Sequence, residues 1–184
     1  MMVVNTLETP RLLLRPFHAS DIPDIVQLLQ DPDIAKTTLN IPYPYSEADA
    51  RAWLDIQEKE RKAGTGYTFA ILRKVDQRLI GAIGIRPDLH NWRAEIGYWI
   101  GKPFWGQGYA TEAAQAIIRF GFEELNLNRI YATHFADNPA SGRVMQKVGM
   151  IYEGTMRQYT FKNHRFQDHV LYAILREDWE RSTM

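Results

Sequence analysis

Residues Ala94 to Glu124 read AEIGYWIGKPFWGQGYATEAAQAIIRFGFEE, and their pattern changes character twice. Tyr98, Trp99 and Ile100 are strand formers. Gly101, Pro103, Gly106 and Gly108 then break the run. From Ala110 onward Ala113, Ala114, Ile117, Ile118 and Gly121 recur at helical spacing. A strand, a glycine loop and a helix in that order favour an anion. The first N–H groups of a helix lack partners and carry partial positive charge, and glycines let the main chain close on a ligand. No Ser, Thr, Asp or Asn stands immediately before this helix, so a ligand is the expected cap.

One phosphate-binding pattern is excluded and a second is nearly absent. No Gly-Lys-Ser/Thr follows the glycines, which removes the Walker loop. Gly106-Gln107-Gly108 supplies the first half of the dinucleotide fingerprint, but Thr111 stands where its third glycine belongs. The stretch instead resembles motif A of the GCN5-related N-acetyltransferases. That family's Q/R-x-x-G-x-G/A corresponds to Trp105-Gly106-Gln107-Gly108-Tyr109-Ala110, with Trp in the first place. The string WGQGYATEA is similar to the branch that contains ribosomal-protein N-terminal acetyltransferases (RimJ/RimL-like).

The chain has 184 residues, a length that predicts a single domain over residues 1–184 with a sizeable core. Its 22 basic and 22 acidic residues cancel, which argues against a nucleic-acid surface as the main function. It has no cysteine, so disulfides, thiolate metal sites and a Cys nucleophile are impossible. The opening MMVVNTLETPRLLLRPF is too charged for a signal peptide, and no run reaches the roughly 20 apolar residues of a membrane span. The expected location is the cytoplasm.

Arg11 to Phe17 reads as a first strand. Ser20 or Asp21 then caps a helix with Pro23 in its first turn. Residues 31–45, with three prolines, read as a loop, and Ser46-Glu47-Ala48-Asp49 opens a second helix in capping-box style. Two strands near residues 67–72 and 78–85 suggest a hairpin. After the central helix come a strand at 129–135, a helix opened by Asn138-Pro139 and closed near Lys147 and Gly149, and two long final strands. This order predicts an α/β (α+β) fold, with a mixed, mostly antiparallel sheet of about seven strands and four helices.

That element order is also the acetyltransferase family's, and the resemblance extends from about Leu7 to Trp179. Asn138-Pro139-Ala140-Ser141 through Lys147-Val148-Gly149-Met150 is similar to its N-x-x-S/A…K-x-G-F. Thr9-Pro10-Arg11-Leu12 resembles the opening of the ribosomal-protein branch.

The resemblance implies acetyl-CoA as acetyl donor. Its pyrophosphate is expected on the loop of Gly106, Gln107, Gly108, Tyr109, Ala110 and Thr111. Its pantetheine is expected on the central strand edge at Trp99, Ile100 and Gly101, with Asn138 as a further contact. The central strand and the 129–135 strand are expected to part there, with a bulge at Gly101. The other partner is an amine, on a small molecule or a protein N-terminus, and the resemblance implies a homodimer.

Glu95 is the candidate general base. It shares a strand face with Gly97, which leaves space beside it, and Ala94-Glu95-Ile96 matches the family's A-E-I triplet. A lysine amine, with a pKa of about 10.4, needs a good base at pH 7, whereas an N-terminal amine near 8 needs less help. A cross-strand ion pair with Arg86 or Arg93 is the structural alternative. The family Tyr that protonates the departing thiolate is Met145 here. Ser141 is the nearest replacement, or an ordinary helix serine. His134 is an auxiliary candidate beside the cleft. Tyr98, Trp99, Trp53, Trp92 and Trp179 read as core or pocket wall. Residues 37–45 and 162–167 are the loops expected to select the acceptor, with Tyr43 and Tyr45 either lining its mouth or sitting in a proline-stiffened surface loop. Two rival readings stay open: a non-catalytic acyl-CoA sensor or scaffold, which the missing Tyr would suit, and a nucleotide-binding module of another fold.

Overall fold

A computed structural model describes residues 6–183. The first five residues, on which the signal-peptide reading partly rests, lie outside the described residues. The strands are β1 (Leu7–Glu8), β2 (Leu12–Arg15), β3 (Tyr67–Arg73), β4 (Leu79–Asp88), β5 (Arg93–Ile100), β6 (Arg129–Phe135), β7 (Ile151–Lys162) and β8 (Arg165–Leu175), with β-branched and aromatic residues in β3 to β8 and leucines in the two short ones. They form one sheet in the order β1-β2-β3-β4-β5-β6-β8-β7. Among the described residues, only β5 and β6 run parallel. The mixed, mostly antiparallel sheet is as the sequence predicts.

The helices are α1 (Ile22–Leu29), α2 (Pro32–Thr37), α3 (Glu47–Ala63), α4 (Tyr109–Glu123), α5 (Pro139–Lys147) and α6 (Arg176–Thr183). Helices cover both faces of the sheet. On one, α1 and α3 bury Ile25, Leu29 and Ala50 against Ala70, Ala82 and Trp99. On the other, α4 sets Ile117, Ile118 and Phe122 in the same core as Ile85, Ile96 and Ile130.

Three elements exceed the expectation of seven strands and four helices. The two-residue β1 is too short to show alternation. In the expected 31–45 loop, Asp31 caps α2 by accepting from the Asp33 N–H (2.9 Å), and Pro32 takes the first helical place. That is the same signal as Asn138-Pro139, masked here by the later prolines. The sequence REDWERST of α6 has little apolar face, and Trp179 packs its ring 5.3 Å from Phe122.

Other expectations change for local reasons. Asp21 does not cap α1 with its side chain, because its carboxylate takes both Arg15 guanidinium nitrogens (2.8 Å each) and the His18 N–H. Trp53 packs edge-on against Phe17 (5.0 Å), but Trp92 sits exposed in a turn with φ +51° rather than in the core. Tyr45 is buried and Tyr43 exposed.

The feature that positions everything below is the brief pairing of β5 with β6. Arg93 faces Arg129, Ala94 faces Ile130 and Glu95 faces Tyr131; beyond these the strands part. No bulge marks the parting. The β4–β5 register runs unbroken to Ile100, and the Gly101 N–H continues it to the Ile80 carbonyl (2.8 Å). Gly101 instead accommodates α1, since a Cβ there would meet Leu28 at 2.6 Å.

Asp21 is only 6 % exposed. Burial pushes its carboxyl up, but the hydrogen bonds from Arg15 and His18 outweigh that and hold it below the usual carboxylate range. Asp21→Ala strands the Arg15 guanidinium, at an expected cost of about 3–5 kcal/mol, or a fall in Tm on the order of 10 °C for a chain of this size. A depressed folded-state pKa stabilises above the unfolded value and is lost as pH falls through the folded one. The gap in Tm between the wild type and the variant should therefore narrow below about pH 4. Thermal melts across pH check both statements.

Candidate functional site

Two cavities open where β5 and β6 part. The first, about 310 Å³, lies over the end of β5, the glycine loop and the start of α5. Gly106 (φ +74°) and Gly108 (φ +82°) hold left-handed conformations that favour glycine. A Cβ at Gly106 would meet nothing within 4 Å. The first hydrogen bond of α4 noted at its start is from the Glu112 N–H to the Gly108 carbonyl (3.0 Å), and no side chain caps Gly108. The N–H groups of Tyr109, Ala110 and Thr111 precede it. Arg143 and Lys147, one helical turn apart on α5, line this cavity and make no ion pair among the described residues. The cavity thus has a main-chain anion cradle, backed by two cations, beside a strand edge.

Of the expected edge residues, Ile100 faces the parting, whereas Trp99 and Gly101 do not. Because the Gly101 N–H bonds to β4, antiparallel alternation turns the main-chain groups of Trp99 toward β4 as well. Those of Tyr98 and Ile100 face the parting. Trp105, in the place where the family has Gln or Arg, donates its indole N–H to the Ile100 carbonyl (2.6 Å). What the edge leaves open is therefore the N–H and C=O of Tyr98 and the N–H of Ile100. Trp99 contributes its side chain to the cavity wall. Gln107 turns away: its side chain donates to the Pro103 carbonyl (3.2 Å), and its own carbonyl accepts from Arg11 (3.0 Å). Asn138 caps α5 through the Ser141 N–H (3.4 Å) and lines the cavity.

The second cavity, about 340 Å³, holds Glu95, Gly97, Trp53, His134 and His169 in its wall. Glu95 takes neither of the ion pairs that the sequence offers it. Arg86, directly across from it, leans toward Glu60 (3.6 Å), and Arg93 pairs with Asp88 (3.1 Å). Its carboxylate has no hydrogen bond or ion pair among the described residues. Lost hydration raises the Glu95 carboxyl above the usual range, and the Arg86 charge only partly opposes this. Gly97 supplies the expected space, since a Cβ there would meet nothing within 4 Å.

The two cavities share Thr37, Thr38, Tyr98, Trp99 and Ser141. At that junction the Tyr98 hydroxyl lies 2.7 Å from Ser141 Oγ and also donates to the Ser141 carbonyl (3.3 Å). Burial pushes the Tyr98 phenol up to about 12 despite the Ser141 hydrogen bond, so it stays an O–H. Met145 is buried in the core. A tyrosine hydroxyl thus does stand beside Ser141, delivered by the strand instead of the helix. Sequence alone offered no way to see this, because Tyr98 and Ser141 are 43 residues apart.

His134 Nδ1 bonds to the Phe135 carbonyl (2.7 Å), and its buried Nε2 faces Gly142 without a partner among the described residues. His169 lies between Thr160 (2.9 Å) and Thr133 (3.4 Å), and its pKa is lowered by burial and by His134. Asp168 accepts from the Gln158 N–H (2.7 Å) and Tyr159 packs on His169. Neither lines the cavity. The mouth is formed by residues 37–41, not by Tyr43 and Tyr45. Lys162, at the end of β7, donates to the carbonyls of Ala35 and Thr38. The two loops expected to select a substrate are therefore tied together.

The chain matches the acetyltransferase (GNAT) domain family over residues 11–151. It is 34% identical over 174 residues to the uncharacterized N-acetyltransferase YnaD of Bacillus subtilis (strain 168), covering 94% of this chain and 98% of that one. It is 34% identical over 138 residues to the ribosomal-protein-serine acetyltransferase of Escherichia coli (strain K12), covering 74% and 76%. Its fold superposes with a TM-score of 0.86 on RimL, a ribosomal L7/L12 alpha-N-protein acetyltransferase solved in complex with coenzyme A; identity is 22%, and coverage is 93% and 98%.

The Glu95 carboxyl is expected to titrate above the usual carboxylate range in carbon-13 NMR, and Arg86→Ala to push it higher by removing the charge that lowers it. An ordinary value, or one that Arg86→Ala leaves in place, contradicts this environment.

Proposed function

The chain belongs to the acetyltransferase (GNAT) family, and from that premise we propose that its acceptor is the N-terminal amine of a protein and that Glu95, Tyr98 and Ser141 handle the protons. It is an acetyl-CoA-dependent N-acetyltransferase. Acetyl-CoA supplies an acetyl group activated as a thioester. The open glycine turn, the uncapped start of α4 and the cations Arg143 and Lys147 fit its phosphates. The open edge at Tyr98 and Ile100 fits the amides of its pantetheine arm.

The observation that carries this reading is the junction of the two cavities at Tyr98 and Ser141, with Glu95 in one and the anion cradle in the other. Glu95 has no partner to release before it accepts a proton from the acceptor amine. Although Glu95 keeps solvent contact at the cavity wall, its raised affinity for a proton makes it a better base than an unperturbed carboxylate. On the other side, the Tyr98 and Ser141 hydroxyls share a hydrogen bond in which either can donate; with Tyr98 as the donor, the serine O–H is free for the departing sulfur. Holding both reactants at one junction removes the entropy of bringing them together. The alternative of a non-catalytic sensor rested on the missing helix tyrosine, and the Tyr98 hydroxyl takes that place.

The N-terminal amine is favoured over a lysine because the base assigned here is one partly hydrated carboxylate, and an amine of pKa about 8 is already partly neutral at pH 7. The Escherichia coli relative, named for a ribosomal protein, points to the same acceptor class. This reading places the enzyme in the cytoplasm. It also includes a homodimer formed through β7, the outermost strand, where Ile151, Tyr152, Tyr159 and Phe161 are exposed; light scattering in solution tests that part.

Thiol release with a panel of amines tests the acceptor: peptides with a free N-terminus should turn over, whereas N-terminally blocked lysine peptides and polyamines should not. Glu95→Gln should lower kcat by about a hundredfold or more with the Kd for CoA unchanged. An equal loss of CoA affinity would falsify the base assignment. Gly97→Leu fills the space beside Glu95 and should raise KM for the peptide but not for acetyl-CoA.

A further inference from the structure

We propose that Arg11 and Glu112 are positioning residues for the phosphate-binding turn: Arg11 aims the Gly108 N–H into the cavity and neutralises a carboxylate that the anion would otherwise meet. The proposal rests on the acetyl-CoA reading above and assigns work to a motif that reading leaves unused, Thr9-Pro10-Arg11-Leu12.

Glu112 is the fourth residue of α4. A carboxylate in the first turn suits the helix dipole, yet it sits beside the N–H groups offered to a diphosphate, and like charges there repel. The structure turns it away. Glu112 Oε1 accepts from Thr9 Oγ1 (2.6 Å) and from the Arg11 N–H (2.8 Å), and Oε2 accepts from Arg11 Nε (2.7 Å). Burial raises its pKa, but these hydrogen bonds outweigh that and keep it ionised. Both oxygens are thus committed to the turn between β1 and β2, which the Thr9 side chain stiffens by accepting from the Leu12 N–H (2.9 Å).

Arg11 reaches further. Its guanidinium lies 4.6 Å from the centre of the Tyr109 ring, and its NH1 donates to the Gln107 carbonyl (3.0 Å). The peptide between Gln107 and Gly108 is planar, and in a trans peptide the carbonyl and the following N–H point in opposite directions. Holding the Gln107 carbonyl on the Arg11 side therefore directs the Gly108 N–H to the opposite side, where Gly106, Gly108 and Thr111 line the cavity. A Cβ on Gly108 would come within 3.3 Å of Arg11 NH2, so the guanidinium packs directly behind the turn. One arginine performs both tasks because its fork offers several fixed donors at once. The ends of this clamp lie 101 residues apart.

The test compares acetyl-CoA with S-acetyl-pantetheine, which lacks the diphosphate, in the wild type, Arg11→Ala and the double variant Arg11→Ala/Glu112→Gln, with the Kd for CoA measured by calorimetry. Arg11→Ala should raise KM for acetyl-CoA and Kd for CoA about tenfold, while KM for S-acetyl-pantetheine stays within about twofold. Adding Glu112→Gln should recover part of the loss, because the unscreened carboxylate is gone. Equal losses with both donors, no loss at all, or a double variant worse than the single one overturns the clamp alone. A wild type that binds no CoA overturns the acetyl-CoA reading and the clamp with it. If Arg11→Ala does not fold, Arg11→Lys carries the comparison, since lysine keeps the charge but cannot hold Glu112 and the Gln107 carbonyl together. The same selective loss is expected of it.

Discussion

The separation of β5 from β6 after three paired residues is the constraint on which this molecule turns. Main-chain N–H and C=O groups that leave a ladder need new partners, because leaving them dry and unpaired is costly. Here each receives a different answer. Trp105 satisfies the Ile100 carbonyl from within the chain. The groups of Tyr98 and the Ile100 N–H stay available to a ligand that carries amides. The start of α5 fills the far side of the gap, which brings Ser141 to the Tyr98 hydroxyl and makes one passage of two cavities.

The two cavities meet at the gap, and in the proposed reaction the two reactants approach from opposite faces of the sheet. On the side of α4 and α5 the site is made of backbone: glycines in left-handed turns, a helix start without a side-chain cap, an exposed strand edge. On the side of α1 and α3 it is made of side chains, with Glu95 held near no counter-charge of its own. Arg86 and Arg93 are each drawn off by another carboxylate, Glu60 and Asp88. An intimate ion pair would weaken Glu95 in the proposed role of base, so these diversions at the edge of the cavity bear on that proposal. Lys162 joins the hairpin of β7 and β8 to the end of α2, so the acceptor's mouth is framed by segments distant in sequence but mechanically linked.

The glycine turn shows how a helix start can hold both an acidic residue and an anion site. Glu112 stabilises α4 and would oppose a diphosphate; the β1–β2 turn resolves the conflict by taking both carboxylate oxygens. The cost is a long-range dependence, since the geometry of the turn is set by residues from the opposite end of the chain.

Much of this was legible in the sequence, and the physical reason is locality. The strand, loop and helix of residues 94–124, the cap at Asn138-Pro139, the capping box at Ser46 and the space beside Glu95 all depend on residues a few positions apart, whose spacing sets their geometry. The motif glycines marked the cradle for the same reason: a left-handed turn is a property of the residue that makes it. What spacing does not encode is competition between distant groups. Asp21 is a helix cap by its position but belongs to Arg15 in space. Which edge groups of β5 are free follows from its hydrogen bonds to β4, which left Ile100 on the open edge and put Tyr98 there in place of Trp99 and Gly101. The pairing of Tyr98 with Ser141, the diversion of Arg86 from Glu95 and the grip of Arg11 on Glu112 exist only once the sheet has closed and parted, because each joins side chains that the chain itself keeps apart.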